Sequence, residues 1–307
     1  MDSSKPACAT FFEDSTMVIS KRDRFYAKYY QQNFSMPNSI IFYIAKNPKT
    51  AGFYLKMVKT CKYFFIKNKI IIIQNLDAGD GEWRSGNVAL NFTKYNCKYW
   101  ITDKIKASGL GFVGKNIFSP IIPRLYQCDV KCLFLSDQII SYNDLSLLIS
   151  SAERIGFIDV FAKYADSSDV QLEDIVAIAI KAYEISVIKP TITSKTMKEL
   201  TKLANFTKLD NLNLHNLSEV FDIDAFYCYM KKNQQTKLHI SFDEQISEGY
   251  MNRLETIVDE ILETKQFNYK LVAEILGTNQ FDYKPPFIGF TGLDIQKFRK
   301  LCQIFFY

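Results

Sequence analysis

The stretch Asp-Asn-Leu-Asn-Leu-His-Asn-Leu, residues 210–217, decides the predicted fold. Its leucines alternate with polar residues, which is the pattern of a strand with one buried face. Residues 212–214 of this stretch form an apolar-x-apolar triplet. Similar triplets occur at 133–135, 158–160, 185–187 and 238–240. The first residues of successive triplets are 25, 27, 27 and 26 residues apart. This regular period predicts a series of repeats with one short strand each.

Helix-like segments complete each predicted repeat. They lie at 143–154, 172–182, 194–204, 223–232 and 248–264. One strand and one helix cannot bury their apolar faces alone, so neighbouring units must stack into a curved parallel sheet backed by helices. A last strand near 286–290 and a helix at 293–305 are predicted to cap the series.

The predicted fold class is therefore α/β, and the repeat resembles leucine-rich repeats. It departs from that family's pattern because no position holds the Asn or Cys that usually follows the strand. We expect an irregular leucine-rich-repeat-like α/β solenoid over residues 126–307, ending in a C-terminal cap.

The residues that alternate with the buried ones should form the concave face of the sheet. This face mixes aromatic with polar side chains, a mixture typical of protein recognition. The predicted substrate-binding residues are Phe134, Asp159, Phe161, Ser186, Asn213, His215 and His239. A solvated face without a ligand remains the alternative.

A second informative region lies near the start of the chain. Ser35 is a good helix N-cap, and Pro37 suits the first turn, where its missing N–H is not needed. A cap and a proline occur again at 47–48, which predicts the end of one helix and the start of another. On the second helix Tyr54, Val58, Cys61 and Phe65 recur at spacings of four, three and four. We predict a compact helical hairpin within residues 34–68.

These residues resemble the F-box, and most closely one of the lineage-expanded invertebrate F-box families. The resemblance rests on Met36-Pro37, an isoleucine-rich helix, and the segment Val58-Lys-Thr-Cys-Lys-Tyr-Phe64. It departs from the family pattern at Ser39, where an acidic residue is usual, and at Phe64, where tryptophan is usual. The adaptor-binding residues that the resemblance implies are Met36, Pro37, Ile40, Ile41, Ile44, Tyr54, Val58, Cys61 and Phe64.

An F-box followed by leucine-rich repeats implies the substrate-recognition subunit of a cullin–RING ubiquitin ligase of the SCF type. Such a subunit is not itself an enzyme. It binds the ligase adaptor through the F-box and a target protein through the repeats, which raises the local concentration of the target. The alternative is a repeat-based scaffold unconnected to ubiquitin, whose N-terminal helices only cap the solenoid.

The stretch Gly-Leu-Gly-Phe-Val-Gly-Lys-Asn, residues 109–116, matches two phosphate-binding patterns. Phosphate loops join a buried strand to a helix N-terminus. Here the preceding segment 102–108 is polar, and Pro120 and Pro123 interrupt any following helix. We therefore interpret the stretch as a glycine-rich bend, and a nucleotide-binding enzyme using Gly109–Lys115 is a remote alternative.

Composition excludes several other classes. The net charge is only +5 and the lysines are scattered, so we expect no nucleic-acid partner. The most apolar run, 70–73, is far shorter than the ~20 residues that span a bilayer, so we expect no membrane partner. The chain has only two histidines, too few for a His-rich metal site, and few catalytic arrangements of Ser-His or Cys-His are possible with them. We therefore expect neither a metal nor a cofactor.

The seven cysteines are odd in number and widely spaced, which favours reduced thiols. We therefore expect a soluble protein of the cytoplasm, the nucleus or both. The predicted organisation is a partly disordered leader at 1–33, the F-box-like module at 34–68, a connecting region with strands and the glycine-rich bend at 69–125, and the solenoid at 126–307.

Overall fold

The structure is a computed structural model that describes residues 34–114, 116–233, 235–263 and 285–306, together with Arg24 and Ala27. The predicted leader, apart from those two residues, and Thr264, the predicted end of one helix, lie outside the described residues. The chain divides into two compact units, Met1–Asn68 and Lys69–Tyr307.

Residues 34–68 of the first unit contain three helices: α1 (Asn38–Lys46), α2 (Ala51–Thr60) and α3 (Lys62–Lys67). Asn47 ends α1, and its side-chain amide donates to the Tyr43 carbonyl at 2.9 Å. Thr50 begins α2, since its hydroxyl accepts the Phe53 N–H at 3.1 Å. The cap predicted at Asn47 therefore lies three residues too early.

The predicted two-helix hairpin is wrong because Cys61 interrupts the second helix. Cys61 has an extended backbone (φ −151°, ψ 128°), and its thiol accepts the Tyr63 N–H at 3.4 Å. The buried residues of α2 are Tyr54 and Met57, and after the interruption α3 buries Phe64. Asn68 joins the helices, since it accepts from the Tyr54 hydroxyl at 2.5 Å and donates to the Ala45 carbonyl at 3.0 Å.

The second unit is mixed α/β and is built on one large, mostly parallel sheet. Its strands are β1 (Ile70–Gly79), β2 (Glu82–Ser85), β3 (Val88–Leu90), β4 (Lys98–Ser108), β5 (Leu125–Cys128), β6 (Cys132–Ser141), β7 (Arg154–Lys163), β8 (Glu184–Ile188), β9 (Asn211–Leu217), β10 (Lys237–Phe242) and β11 (Phe287–Gly289). The spatial order is β11-β10-β9-β8-β7-β6-β4-β1-β2-β3, with β5 paired to β4. Among the strands that the structure describes, only those of the β1-β2-β3 meander pair in antiparallel fashion.

Helices follow the strands of the second half. They are α4 (Tyr142–Ile149), α5 (Leu172–Ile178), α6 (Thr196–Leu200), α7 (Ile223–Met230), α8 (Glu248–Glu263) and α9 (Ile295–Phe306). Their buried side chains belong to the same apolar core as the inward side chains of the strands. The predicted last strand and last helix are confirmed as β11 and α9.

Two rows of apolar side chains cross the sheet and form its buried face. The first row is Leu76, Ile105, Leu133, Ile155, Ile185, Leu212 and Leu238, and the second is Ala78, Ala107, Leu135, Phe157, Val187, Leu214, Ile240 and Ile288. Each of these side chains is buried. Stacking equivalent residues of successive strands in this way turns many weak contacts into one continuous core.

One of the five predicted triplets is wrong. On β7 the buried pair is Ile155 and Phe157, whereas Ile158, the first residue of the predicted triplet 158–160, is 47 % exposed. The triplet misleads because Ile155-Gly-Phe157 and Ile158-Asp-Val160 both fit the apolar-x-apolar pattern. The pairing of β7 with β6 and β8 places Ile155 and Phe157 on the buried side, which periodicity alone could not decide.

The region 69–125, predicted to connect the helical module to the solenoid, contributes β1–β5 to the same sheet. The prediction that residues 102–108 form no core strand is wrong. Ile105 and Ala107 of β4 are buried, and they alternate with the lysines at 104 and 106. This is the pattern of a strand with one solvated face.

Candidate functional site

The face of the sheet opposite the two buried rows, called the open face here, carries three rows of side chains. The first is Asn75, Lys104, Cys132, Arg154, Glu184, Asn211 and Lys237; the second is Asp77, Lys106, Phe134, Gly156, Ser186, Asn213, His239 and Phe287; the third is Ser108, Ser136, Ile158, Ile188 and His215. Five of the seven predicted substrate-binding residues lie in these rows.

The other two predicted residues, Asp159 and Phe161, lie where the strands leave this regular pattern. Two residues after the second buried row, the backbone enters the left-handed region in five strands or strand ends. The residues are Asp80, Asp137, Asp159, Lys189 and Asn216, with φ of 52°, 54°, 52°, 57° and 59°. Aspartate and asparagine tolerate this conformation better than other non-glycine residues, which accounts for four of the five.

A hollow of about 430 Å³, called the central hollow, lies in the middle of the open face. Its lining includes Lys104, Lys106, Phe134, Ser136, Gly156, Ile158, Glu184, Ser186, Ile188 and Asn213. The Phe134 ring lies over Gly156, because a Cβ atom built there would be 2.5 Å from the Phe134 Cδ1. Because Gly156 has no side chain, the Phe134 ring can lie against the neighbouring strand, and no side chain of residue 156 fills the hollow.

Charged groups lie on two sides of the central hollow. The Lys104 ammonium lies 5.8 Å from the centre of the Phe134 ring. Lys106 is the direct neighbour of Asp77 on β1 and of Phe134 on β6. The Glu184 carboxylate accepts from the Arg154 guanidinium at 3.1 Å. The lining therefore combines two lysines with one carboxylate that an arginine already pairs.

A second hollow, of about 440 Å³, lies at the carboxyl ends of β4, β6 and β7 and is called the glycine-loop hollow. Its lining is Gly109, Leu110, Gly111, Phe112, Gly114, Asp137, Gln138, Ile139, Asp159 and Phe161. Asp159 pairs with the Lys189 ammonium at 2.9 Å. The predicted residues Asp159 and Phe161 therefore lie in a different hollow from Phe134, Ser186 and Asn213.

Two of the three glycines of 109–114, Gly109 and Gly111, serve close backbone packing. A Cβ at Gly109 would be 2.1 Å from the Asp137 carbonyl oxygen, and one at Gly111 would be 2.7 Å from the Gly81 nitrogen. Contrary to the prediction, the core strand β4 does enter this loop. Among the described residues between Asn116 and Ser141, however, the only helical turn is the 3-10 turn Ile122–Arg124. The carboxylate of Asp137 would moreover repel a phosphate, whereas that of Asp159 is already paired with Lys189.

The two histidines lie side by side on β9 and β10, as the sequence predicts. Their rings are 4.7 Å apart, and His215 Nδ1 lies 3.0 Å from the Ser241 hydroxyl. The His239 ring also contacts Phe287 at 4.6 Å and Phe305 of α9 at 5.7 Å. Burial lowers the pKa of His215, and burial together with the proximity of His215 lowers the pKa of His239 to about 4. Both rings are therefore neutral near pH 7.

The predicted adaptor-binding residues of the first unit fall into three groups by exposure. Met36, Pro37 and Ile40 are exposed, Ile44, Val58 and Cys61 are half-buried, and Ile41, Tyr54 and Phe64 are buried. Four further large apolar side chains are exposed but were not predicted: Phe42, Tyr43, Phe53 and Leu55. Sequence periodicity could not separate the two sides of α1, because apolar residues occur all round it.

Known proteins provide no assignment for these surfaces. No family model, curated protein or solved structure matches the chain. Within the described part of the chain, no group of three or more His, Cys, Asp or Glu side chains is arranged to hold a metal ion. None of the described helices has the length and apolar character required to cross a membrane.

Proposed function

We propose that this chain is the substrate-recognition subunit of a cullin–RING ubiquitin ligase. Residues 34–68 bind the ligase adaptor, and the open face of the sheet binds the target protein. The resemblance of residues 36–64 to the F-box motivates the first half of this proposal. The second half rests on the arrangement of strands and on the chemistry of the open face.

The observation that carries the proposal is the exposed apolar surface of the first unit. Met36, Ile40 and Tyr43 are 46 %, 46 % and 68 % exposed, whereas Ile41 of the same helix is 3 % exposed. One side of α1 is therefore buried, and a second apolar side remains at the surface. Clustered apolar side chains at a surface mark sites of protein interaction.

The order of the strands in the second unit supports the proposal that this unit is an irregular leucine-rich-repeat-like α/β solenoid. From β1 through β4 and β6 to β11, the parallel strands lie beside one another in chain order. Stacked repeats produce this order, because each unit packs on the one before it. The open face presents aromatic, hydroxyl, amide and charged groups together, which suits selective protein binding.

The direct test measures binding of the full chain to a panel of purified cullin–RING adaptors. In the variant Ile40→Asp/Tyr43→Asp, two charges replace exposed apolar anchors, and we expect adaptor affinity to fall by about tenfold or more. The control Asn38→Asp/Ser39→Asp adds the same two charges to exposed positions at the start of α1, where the helix dipole favours them. It should keep wild-type affinity. Failure of every adaptor to bind the folded wild type would refute the proposal.

A protein-interaction scaffold unconnected to ubiquitin is the second candidate. The burial of Ile41 and Tyr54, which are 3 % and 1 % exposed, favours it, because neither buried side chain is available to contact an adaptor. The exposure of Ile40 argues against it. A chain that binds a partner through the open face but binds no adaptor would support the scaffold.

A further inference from the structure

We propose that the central hollow is the anchor site for a peptide segment of the target protein. The hollow takes one large apolar or aromatic side chain, and acidic residues flank that anchor in the peptide. This inference rests on the proposed function, because it names the class of target segment that the open face recognises.

The shape of the hollow follows from small residues in adjacent strands. Gly156 and Ser186 are direct neighbours on β7 and β8, Ser136 lies on β6 beside Ile158, and all three line the hollow. The larger side chains of Phe134, Ile158 and Ile188 complete its lining. Its volume of about 430 Å³ falls in the lower range of binding sites, which is enough for one aromatic side chain with room for backbone.

The apolar and polar parts of the lining have separate roles. Phe134 and the two isoleucines offer a ring face and branched apolar surface for an anchor side chain. Ser136, Ser186 and Asn213 offer hydroxyl and amide groups, which both donate and accept hydrogen bonds and so match a peptide backbone. A floor without these polar groups would leave the buried N–H and C=O groups of the peptide unsatisfied.

Charge selects the residues beside the anchor. Lys104 and Lys106 both line the hollow, and Glu184, its carboxylate, is already paired with Arg154 at 3.1 Å. Asp77 lies beside Lys106 on the next strand and reduces the positive charge without cancelling it. A carboxylate next to the anchor therefore gains attraction, whereas a lysine there is repelled.

A peptide fits this surface better than a compact small molecule. The rows that form the hollow continue beyond it on either side, through Asn75 on β1 and through His215 on β9. An extended segment advances about 3.3 Å per residue, so residues on both sides of the anchor would reach these polar groups. A small molecule confined to the hollow would leave them unused.

The test is a display selection of random peptides of about 12 residues, which span roughly 40 Å when extended, on the full chain. We expect the selected peptides to share a large apolar or aromatic residue with Asp or Glu within two positions. Selection on Lys104→Glu/Lys106→Glu should instead enrich Lys or Arg at those positions. Lys181→Glu, which reverses one charge instead of two in an exposed turn before β8, should leave the preference unchanged.

Filling the hollow provides the second arm. Ser186→Leu adds apolar volume to the floor without changing charge, and it should weaken the selected peptides by about tenfold or more, which corresponds to ~1.4 kcal/mol. The thermal unfolding transition identifies any variant that fails to fold. Gly156→Ala is the back-up variant, because its methyl group would push the Phe134 ring away from the strand.

The following results would overturn the inference: no enriched peptides, enrichment without acidic residues, or peptides that bind Ser186→Leu at wild-type affinity. Phenylpropionate carries the same ring and carboxylate as a free small molecule. If it binds as tightly as the peptides, the occupant is a small carboxylate instead. Because Ser186→Leu leaves the first unit intact, its adaptor binding tells failure of this inference apart from failure of the proposed function.

Discussion

At the scale of single residues, the glycines of the 109–114 loop have different roles that the sequence does not separate. Gly109 touches the Asp137 backbone, whereas Gly114 has a φ of +89° and nothing within 4 Å of an added Cβ. The first needs glycine because space is missing, and the second because of its backbone conformation. A sequence pattern shows only that both residues are glycine and not why each is needed. For this reason the stretch matches the pattern of a phosphate-binding loop.

Gly109→Ala should therefore destabilise the protein more than Gly114→Ala. The added methyl at Gly109 would meet a backbone oxygen that cannot move independently, at a cost of about 3 kcal/mol or more. At Gly114 the cost is the left-handed conformation alone, about 1–2 kcal/mol. Chemical denaturation of both variants measures the difference. Equal destabilisation would contradict this account of the loop.

The histidine pair predicts a dependence of stability on pH. The pKa of His239 is lowered from an ordinary 6.5 to about 4, so between these values the unfolded chain binds more protons than the folded chain. The contribution of this ring to stability is complete above about pH 6.5 and is lost as the pH falls through about 4. His239→Phe should weaken this loss and keep the contacts with Phe287 and Phe305. Identical pH profiles of unfolding for the variant and the wild type would contradict it.

At the scale of elements, the period of the triplets predicts four strands correctly and misplaces one. The inward pairs of β6, β8, β9 and β10 are those expected, because buried and outward-facing residues alternate across each of these triplets. On β7, Ile155-Gly-Phe157 and Ile158-Asp-Val160 are equally good triplets in sequence. Only the pairing with β6 and β8 decides between them.

The register of β7 can be checked with one matched pair of variants. Phe157 is 2 % exposed, and its replacement by alanine should cost about 3–5 kcal/mol, the usual range for a core phenylalanine. Ile158 is 47 % exposed, so Ile158→Ala should cost less than about 1 kcal/mol. Urea titrations give both values. The reverse order would restore the triplet at 158–160.

The first helices show another limit of prediction from sequence. Apolar residues lie on all sides of α1, so periodicity cannot say whether Ile40 or Ile41 faces inward. The break at Cys61 was equally hidden, because it depends on a thiol that accepts a backbone N–H rather than on proline or glycine. Both features determine which side chains of the first unit are available to a partner.

At the scale of the whole molecule, the proposed function assigns one task to each unit. The first unit would bind an adaptor through the exposed side of α1, and the second would hold a target segment in the central hollow. Composition and period predicted an α/β chain with a helical start. The size of the sheet was missed, because the lysines of β4 hid the buried residues that alternate with them.

The central claim is that the two binding surfaces act independently, and native mass spectrometry tests it most directly. The full chain is mixed with an adaptor and a selected peptide, and the masses of the complexes are measured. We predict a ternary complex for the wild type, a peptide complex alone for Ile40→Asp/Tyr43→Asp, and an adaptor complex alone for Ser186→Leu. Loss of both partners in either folded variant, or of neither, would contradict the claim.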